Sequence, residues 1–370
     1  MDYDWPEHLD VLREEVLDFV ESATVDLELV DDAWLVQPSD VFNRRMGQRG
    51  YIGMKWPKAY GGQDADALTH FTVMETLLLA GAPVSGAWFP DRQIGPVLLQ
   101  YGTDAQKDRW IPEIVAGESS WCIGMSEPDA GSNVAGIATK AERHGDQFVV
   151  NGQKIWTSGA HEADWCYLIC RTDPDQPPHR GMSELVVDMS SPGITVKQIT
   201  DSSGNDHFCE VFFDDVAVPA ENLIGQMNNS FGQTMRQLEH ERGGIDRLVS
   251  NKRLYLDYAA RADTSNPLVR QRMAEIETKY TIGRHLVLRN VLRQIDSVYS
   301  TVTKTFATEF EQDVASFVGD VAGPHAMLTG RVARNLVYAP SYTIMGGTTQ
   351  ILRNIMGERV LGLPREPRPT

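Results

Sequence analysis

The hydrophobic period of the chain changes twice along its length, and this change most restricts the folds that it can adopt. Leu9, Leu12, Val16, Phe19 and Val20 recur at three- and four-residue spacing, which predicts an amphipathic helix at the start. The same helical pattern covers four further segments: 41–54, 68–79, 94–101 and 104–115. About the first 120 residues are therefore expected to be mostly helical.

The middle of the chain has the character of a β domain. Short runs rich in β-branched and aromatic residues are separated by Gly, Pro, Asp and Ser, and they cover 147–150, 165–171, 184–188, 194–197 and 210–213. Beyond Gly225 the helical pattern returns, in two runs without proline at 271–300 and 302–318. The sequence thus predicts an α+β fold with an N-terminal helical domain (1–120), a central β-barrel or sandwich (121–222) and a C-terminal helical domain (223–370).

Composition excludes some classes of partner. At 370 residues, the chain is long enough for two or three cooperating units. With 34 Lys and Arg against 51 Asp and Glu, its formal charge of −17 opposes broad electrostatic binding to nucleic acid or to an anionic membrane. No apolar run approaches the length of a membrane span, and the first residues are acidic. We expect a cytoplasmic protein that binds neither nucleic acid nor membrane.

The four cysteines, Cys122, Cys166, Cys170 and Cys209, show no metal-ligand spacing. No cluster of histidine and cysteine accompanies them. We therefore expect reduced thiols in the protein core and no bound metal.

Three segments of the middle region carry a family resemblance. Met125–Ser132 reads Met-Ser-Glu-Pro-Asp-Ala-Gly-Ser, Asn151–Ser158 reads Asn-Gly-Gln-Lys-Ile-Trp-Thr-Ser, and Phe213–Gly225 reads Phe-Asp-Asp-Val-Ala-Val-Pro-Ala-Glu-Asn-Leu-Ile-Gly. In this order and spacing they resemble the central domain of the acyl-CoA dehydrogenase family. The resemblance extends through nearly the whole chain, and it implies a C-terminal four-helix bundle and bound FAD.

The resemblance implies cofactor contacts in the first two segments. Met125 and Ser126 on the first loop, and Trp156, Thr157 and Ser158 on the second, match residues that contact the flavin. The alternative for Trp156 is a core aromatic side chain, the usual place of a tryptophan in a β domain.

Ser132, at the end of the first loop, matches the side of that loop that faces the acyl-CoA substrate. The alternative for Ser132 is a simple turn cap.

A glutamate near residue 240 is the candidate catalytic base. Phe231, Met235, Leu238, Glu241 and Ile245 follow one another at steps of four, three, three and four, so Glu241 continues an apolar helical stripe. Either an arginine neutralises a buried carboxylate at this position, or its pKa rises until it can take a proton from carbon. The structural alternative is a pairing of Glu241 with Arg242 or Arg247.

The resemblance favours the catalytic interpretation. Family members carry the base either on this helix just before an arginine or close to the C-terminus before a Gly-Thr/Ser-Gln run. Glu241-Arg242 matches the first place, while the second reads Met-Gly-Gly-Thr-Thr-Gln over 345–350, so that Gly346 stands at the alternative base position. This is the arrangement of the isovaleryl- and long-chain-type branch. It makes the Gly346 amide a candidate donor to the enolate oxygen and Arg242 a candidate substrate contact.

Near the C-terminus the match to the family is incomplete. Thr348 and Gln350 match residues that contact the FAD pyrophosphate and ribityl region, and Arg261 matches the arginine of an Arg-x-x-Phe-Gly motif that reaches the cofactor of a neighbouring subunit. The Phe and Gly of that motif are missing here, and a Gln-x-x-Gly-Gly segment of the family is replaced by 320–325, Asp-Val-Ala-Gly-Pro-His. Such erosion is a feature of heterotetramers that act on bulky acyl-CoA esters, including steroid side chains.

The resemblance implies FAD-dependent α,β-dehydrogenation of an acyl-CoA thioester to the trans-2-enoyl-CoA. Glu241 would take the α proton, flavin N5 would take the hydride, and an electron-transfer flavoprotein would be the acceptor. A homotetramer, a homodimer or a heterotetramer with a second such chain are the expected assemblies. The alternatives are a half-competent subunit that shares its FAD site with a partner chain and an acyl-CoA oxidase. A nucleic-acid-binding relative is opposed by the charge of −17.

Overall fold

The computed structural model describes residues 5–365, except for the side chains of residues 239–241. Its contacts divide the chain into two compact units. The helical unit contains the chain through Trp34, Asp66–Ala82 and the residues from Glu239 onward, and the mixed unit contains Leu35–Ala65 and Pro83–Leu238. The predicted division into the consecutive domains 1–120, 121–222 and 223–370 stays a prediction.

The α-helices, in chain order, are α1 Glu7–Ala23, α2 Ala33–Val36, α3 Asp40–Arg49, α4 Ala67–Leu79, α5 Ser85–Phe89, α6 Gly95–Tyr101, α7 Asp104–Ala116, α8 Phe231–Arg242, α9 Asp246–Val249, α10 Lys252–Ala259, α11 Pro267–Val291, α12 Ser300–Ala322, α13 Arg331–Tyr342 and α14 Thr349–Ile355. Short 3-10 turns cover Lys58–Tyr60, Val134–Gly136, Ala220–Asn222, Ser297–Tyr299 and Gly323–Met327, and π-helical turns cover Pro90–Ile94 and Met356–Val360. Among the described residues, no helix is both long enough and apolar enough to cross a bilayer.

The strands are β1 Trp121–Gly124, β2 Lys140–His144, β3 Gln147–Lys154, β4 Trp165–Arg171, β5 Met182–Asp188, β6 Ile194–Ile199, β7 Phe208–Pro219 and β8 Leu223–Ile224. They form one sheet in the order β6-β7-β3-β2-β4-β5-β8, with β1 paired in parallel to β4. All five predicted β runs lie in strands. The helix–sheet–helix order confirms the predicted α+β fold class.

The core of the mixed unit lies against this sheet. Buried side chains of β3, β4, β5 and β7 meet there, among them Phe148, Leu168, Val187 and Val211. All four cysteines are buried in the same core as free thiols. Alternation along each strand places these residues on one face.

The helical unit is built around α12. Helices α9, α10, α11, α13 and α14 pack against it, and α1 packs against α4. Tyr255 on α10, Tyr280 on α11, and Phe310 and Phe317 on α12 form a chain of ring contacts with centroids 4.7 to 5.7 Å apart. Large aromatic side chains thus join these helices through burial and edge contacts.

Two helices end earlier than the sequence pattern predicts. Helix α3 ends at Arg49 because Gly50 adopts φ +76°, whereas the predicted segment continued to residue 54. Within the predicted run 271–300, α11 ends at Val291, and Arg293 just after it adopts a left-handed conformation with φ +51°. No proline marks this second break.

Candidate active site

The first flavin-like segment is a tight turn that follows β1. Glu127 and Ala130 exchange backbone hydrogen bonds of 3.1 and 3.0 Å, which closes the turn. The carbonyl of Ser126 accepts from the amide of Ile155 at 2.9 Å. The structure thus brings the first predicted segment, with Met125 and Ser126, directly against the middle of the second, at Ile155.

A buried ion pair holds these two segments together. Lys154 Nζ, on a side chain with no exposed surface, donates to Glu127 Oε1 at 2.8 Å and to the carbonyl of Met125 at 3.0 Å. The Glu127 carboxylate also accepts from the amides of Ala138 and Thr139, at 2.6 and 2.9 Å. The pair, with its hydrogen bonds to the backbone, fixes the loop relative to β3.

The electrostatics of the pair follow from its burial. Burial works to raise the pKa of Glu127, but the charge and hydrogen bond of Lys154 and the two amide donors outweigh it, so the pKa lies below its ordinary value. Burial lowers the pKa of Lys154, and the charge of Glu127 opposes that shift. Each of the two groups therefore keeps its charge in the buried site because the other carries the opposite charge.

Trp156 lies at the exit of β3 with φ +60°, a left-handed conformation that is uncommon for a residue with a side chain. Its ring contacts Phe208 edge-on at 5.7 Å between centroids, yet the side chain is 56% exposed. The interpretation of Trp156 as a core aromatic is therefore wrong. The residue presents an aromatic surface outward.

The residues after Trp156 are anchored to β7. The amides of Thr157 and Gly159 donate to the carbonyls of Cys209 and His207, at 3.0 and 2.8 Å. Thr157 is 1% exposed, and its hydroxyl has no hydrogen-bond partner among the described residues. Ser158 is half-buried and Ser132 is exposed. A buried hydroxyl without a partner beside an exposed tryptophan is a place where a polar group of a ligand can bind.

Helix α8 carries the candidate base in its last turn. The helix covers Phe231–Arg242, so that Ile245 of the predicted stripe lies beyond its end, and the side chain of Glu241 lies outside the described residues. Leu238 and Ile245 of the predicted stripe are buried, whereas Phe231 and Met235 are only half-buried.

The fully buried residues of α8 before Glu241 are the polar Thr234 and Gln237, and Ser230 just before the helix is buried as well. Position 241 lies seven residues after Thr234 and four after Gln237, on the same helix face.

The buried carboxyl of Glu184 on β5 binds the start of α8. It accepts three hydrogen bonds of 2.6 Å, from the hydroxyls of Tyr167 and Thr234 and from the amide nitrogen of Gln233. Burial raises the pKa of Glu184, although the three donors lower it. Since two of these donors lie in the first turn of α8, Glu184 fixes that end of the helix on the sheet.

The glycine turn between α13 and α14 is held by two cationic side chains. Gly346 and Gly347 adopt φ +66° and +96°. Arg242 Nε donates to the carbonyl of Gly346 at 3.1 Å, and Lys304 Nζ on α12 donates to the carbonyl of Gly347 at 2.7 Å. Arg242 is 9% exposed and Lys304 1%. The helix that carries position 241 is thus bonded directly to the turn at 346.

The other predicted C-terminal residues lie on the surface or in caps. Thr348 caps α14 through its hydroxyl, which accepts from the amide of Ile351 at 3.2 Å, and Gln350 is exposed. Arg261 is exposed just after α10, with its guanidinium 5.2 Å from the ring of Tyr258. These residues belong to the helical unit, and the flavin-like loops belong to the mixed unit.

Two buried acids, Asp32 and Glu311, lie near Tyr342 at the end of α13. Asp32 accepts from the hydroxyl of Tyr342 at 2.7 Å, and burial raises the pKa of Asp32 to about 7. Burial, followed by the charge of Asp32, raises the pKa of Glu311 on α12 well above its ordinary value. Tyr342 is the last residue of α13, so its bond to Asp32 anchors the end of that helix.

We expect Asp32→Asn to stabilise the protein at pH 8 and to stabilise it clearly less at pH 5. The folded-state pKa of about 7 lies above the ordinary value of 3.8, so the folded state holds the proton more tightly and loses stability as the pH rises between these values. An asparagine accepts the same hydrogen bond and tolerates φ +59°. The expected gain in unfolding free energy at pH 8 is about 2–4 kcal/mol.

Urea unfolding at both pH values measures this difference, with the exposed Asp26→Asn as control. An equal gain at pH 5 and pH 8 would contradict the assignment.

Comparisons with known proteins identify the family. Sequence models described as the N-terminal, middle and C-terminal domains of acyl-CoA dehydrogenase match residues 6–118, 122–216 and 229–361. Acyl-CoA dehydrogenase IpdE1 of Mycobacterium tuberculosis is 33% identical over 340 residues, which cover 88% of each chain. The chain belongs to the acyl-CoA dehydrogenase family.

Solved structures of the family have the same fold. The Tcur3481–Tcur3483 steroid ACAD is 28% identical, with a TM-score of 0.88 over 99% of this chain and 100% of that chain. The ChsE4–ChsE5 complex of Mycobacterium tuberculosis is also 28% identical, with a TM-score of 0.86 over the same shares. Members of the family are FAD-dependent oxidoreductases, and the chain is an enzyme of this class.

Sequence analysis missed three residues that shape the candidate site in this family member: Lys154, Glu184 and Lys304. The burial of Lys154 could have been predicted from the sequence, because Lys154 continues the inward-facing positions of β3 that Phe148 and Val150 occupy. Glu184 and Lys304 carry no such signal, since their partners lie 49 and 43 residues away in the chain.

Proposed function

We propose that the chain is a dehydrogenase that removes the α and β hydrogens of an acyl-CoA thioester, with Glu241 as the base for the α proton. The observation that carries this proposal is the hydrogen bond of 3.1 Å from Arg242 Nε to the carbonyl of Gly346. It brings the two places where family members carry the base next to each other. A glutamate at 241 can therefore serve the site in which position 346 has no side chain.

The roles of the chain's own residues follow from their chemistry. Glu241 takes the α proton, while the amide of Gly346 donates to the thioester oxygen on which negative charge develops. Among the described residues, no backbone acceptor engages the Gly346 amide, in keeping with this role. Arg242 acts beside the substrate by holding the turn. Ser132, which is exposed at the end of its loop, is the proposed contact to the acyl-CoA substrate.

FAD fits the residues of the second loop. The buried, unpartnered hydroxyl of Thr157 and the exposed ring of Trp156 offer a polar contact and an aromatic surface, with Met125, Ser126 and Ser158 nearby in the same unit. Thr348 and Gln350 are proposed as FAD contacts from the family resemblance, and Arg261 as a contact to the cofactor of a neighbouring subunit. When bound, FAD supplies the acceptor for the β hydride.

We further propose that the FAD site is completed by a second acyl-CoA dehydrogenase-like chain and that the substrate is a bulky, ring-bearing acyl-CoA. The segment Asp320–His325 lacks the glycine pair of the family, and Met327 and Leu328 just after it are 86% and 60% exposed. Large apolar side chains with this exposure are typical of a covered interface. The similarity to a steroid ACAD supports the substrate class.

A turnover assay tests the proposed function. The protein, alone and co-expressed with a candidate second acyl-CoA dehydrogenase-like chain, is incubated with straight-chain, branched and ring-bearing acyl-CoA esters and a dye acceptor. We expect a product two hydrogens lighter from at least one ester, and FAD content that rises when the partner is present. Turnover only with oxygen would identify an acyl-CoA oxidase, and turnover with an electron-transfer flavoprotein a dehydrogenase. Full FAD content without any product would overturn the proposal.

A further inference from the structure

We infer that Lys304 is a positioning residue for the proposed reaction: it fixes the Gly346–Gly347 turn so that the Gly346 amide keeps its aim at the thioester oxygen. This inference rests on the proposed function. Lys304 lies on α12, a helix separate in sequence from both the candidate base and the turn, and no cofactor or substrate motif marks it.

The turn needs external support because of its two glycines. Both adopt positive φ, and glycine reaches many other conformations at little cost. Upstream, the amide of Met345 donates to Ser341, at 2.9 Å. Downstream, the amide of Thr349 donates to the carbonyl of Thr343, at 2.9 Å. Neither bond fixes the peptide planes at 346 and 347.

Arg242 and Lys304 supply the missing constraints. They bind consecutive carbonyls, those of Gly346 and Gly347, at 3.1 and 2.7 Å and from different helices. Because each peptide unit is planar, holding two successive carbonyls fixes the dihedral angles between them. With Met345 held upstream, the orientation of the Gly346 amide is determined from both sides.

The burial of Lys304 argues that this contact has a function. Its side chain is 1% exposed, and removing an ammonium group from water costs several kcal/mol even when it is paired. An apolar residue of similar size would fill the same space without that cost. A charge-assisted hydrogen bond to a carbonyl gives stronger and more directional support than a neutral donor.

The test compares Lys304→Met and Lys304→Gln with Lys279→Met, a control on α11 where the half-buried lysine pairs with Glu275 and Asp313 at 2.6 and 2.7 Å. Each is measured as the FAD-loaded enzyme, with its partner chain if one is needed. For Lys304→Met we expect kcat to fall about 10- to 100-fold with KM and FAD content unchanged. The variant displaces the Gly346 amide, which donates to the thioester oxygen, but does not remove it. Lys304→Gln, which keeps a donor, should retain more activity, and the control should match the wild type.

Two further readouts separate positioning from a general structural role. A 3-thia-acyl-CoA analogue can lose its α proton but cannot lose a hydride. The pKa of its α C–H group in the complex therefore reports how well the site stabilises the enolate oxygen. This pKa should rise in Lys304→Met. Amide hydrogen exchange over residues 343–350 should become faster in the same variant and stay slow elsewhere.

The outcomes decide between the two proposals. Unchanged kcat and analogue pKa in Lys304→Met, with Glu241→Gln inactive, would overturn the role of Lys304 alone. Activity in Glu241→Gln would overturn the proposed function itself. Equal losses of kcat, substrate binding and FAD in Lys304→Met would mark a purely structural residue. If Lys304→Met does not fold, Lys304→Gln decides by the same measurements.

Discussion

Replacing Glu241 with glutamine is expected to lower kcat about 10²- to 10⁴-fold, since an amide of the same shape cannot accept the α proton. FAD content and substrate affinity should stay near those of the wild type. The readout is single-turnover reduction of the flavin by an acyl-CoA ester, which reports chemistry separately from product release.

Glu239→Gln is the matched control for this variant. It removes the same charge from the same helix, but position 239 lies roughly 200° around the helix from position 241. We expect its rate to equal that of the wild type. Near-normal flavin reduction in Glu241→Gln, or an equal loss in both variants, would show that the base is another group.

Replacing Lys154 with methionine is expected to destabilise the mixed unit by about 3–5 kcal/mol, because it leaves the carboxylate of Glu127 buried without its cation. The loop with Met125 and Ser126 should loosen, and FAD should bind more weakly. Denaturant unfolding and a flavin-binding titration measure the two effects.

Lys140→Met is the control for the loss of an ion pair. Lys140 pairs with Glu142 at 2.8 Å, the same distance as in the buried pair, but its side chain is 53% exposed. Its loss should not change stability measurably. Adding Glu127→Gln to Lys154→Met should recover part of the stability, because the uncompensated charge disappears. Equal stability of the Lys154→Met and Lys140→Met variants would contradict the importance of the buried pair.

The order of helices and strands could be predicted because it follows from the local spacing of hydrophobic residues. The five β runs alternate or carry β-branched residues, and all of them became strands. Strands β1, β2 and β8 were not predicted, since they are short and their residues do not form a distinct pattern. β2, with the burial of only Ala141, lies mostly on the surface. Such segments become strands through pairing with distant neighbours.

The candidate site was less accessible to sequence analysis than the fold. The motifs named Trp156 and Glu241, but they did not reveal that Lys154 pairs with Glu127 or that Glu184 holds the start of α8. On α8 the apolar stripe was only partly informative, because the most buried positions are the polar Thr234 and Gln237, and Thr234 is hydrogen-bonded to Glu184 on β5. Pairings of this kind depend on the three-dimensional arrangement, which local pattern does not encode.

An anaerobic titration of the flavin tests the central claim most directly. The FAD-loaded protein, with its partner chain if one is needed, receives ring-bearing and straight-chain acyl-CoA esters in the absence of oxygen. We predict that about one equivalent of a suitable ester bleaches the flavin band and yields the 2-enoyl-CoA, and that Glu241→Gln abolishes the bleaching. Fully bound FAD that no ester reduces, in the protein alone or with its partner, would contradict it.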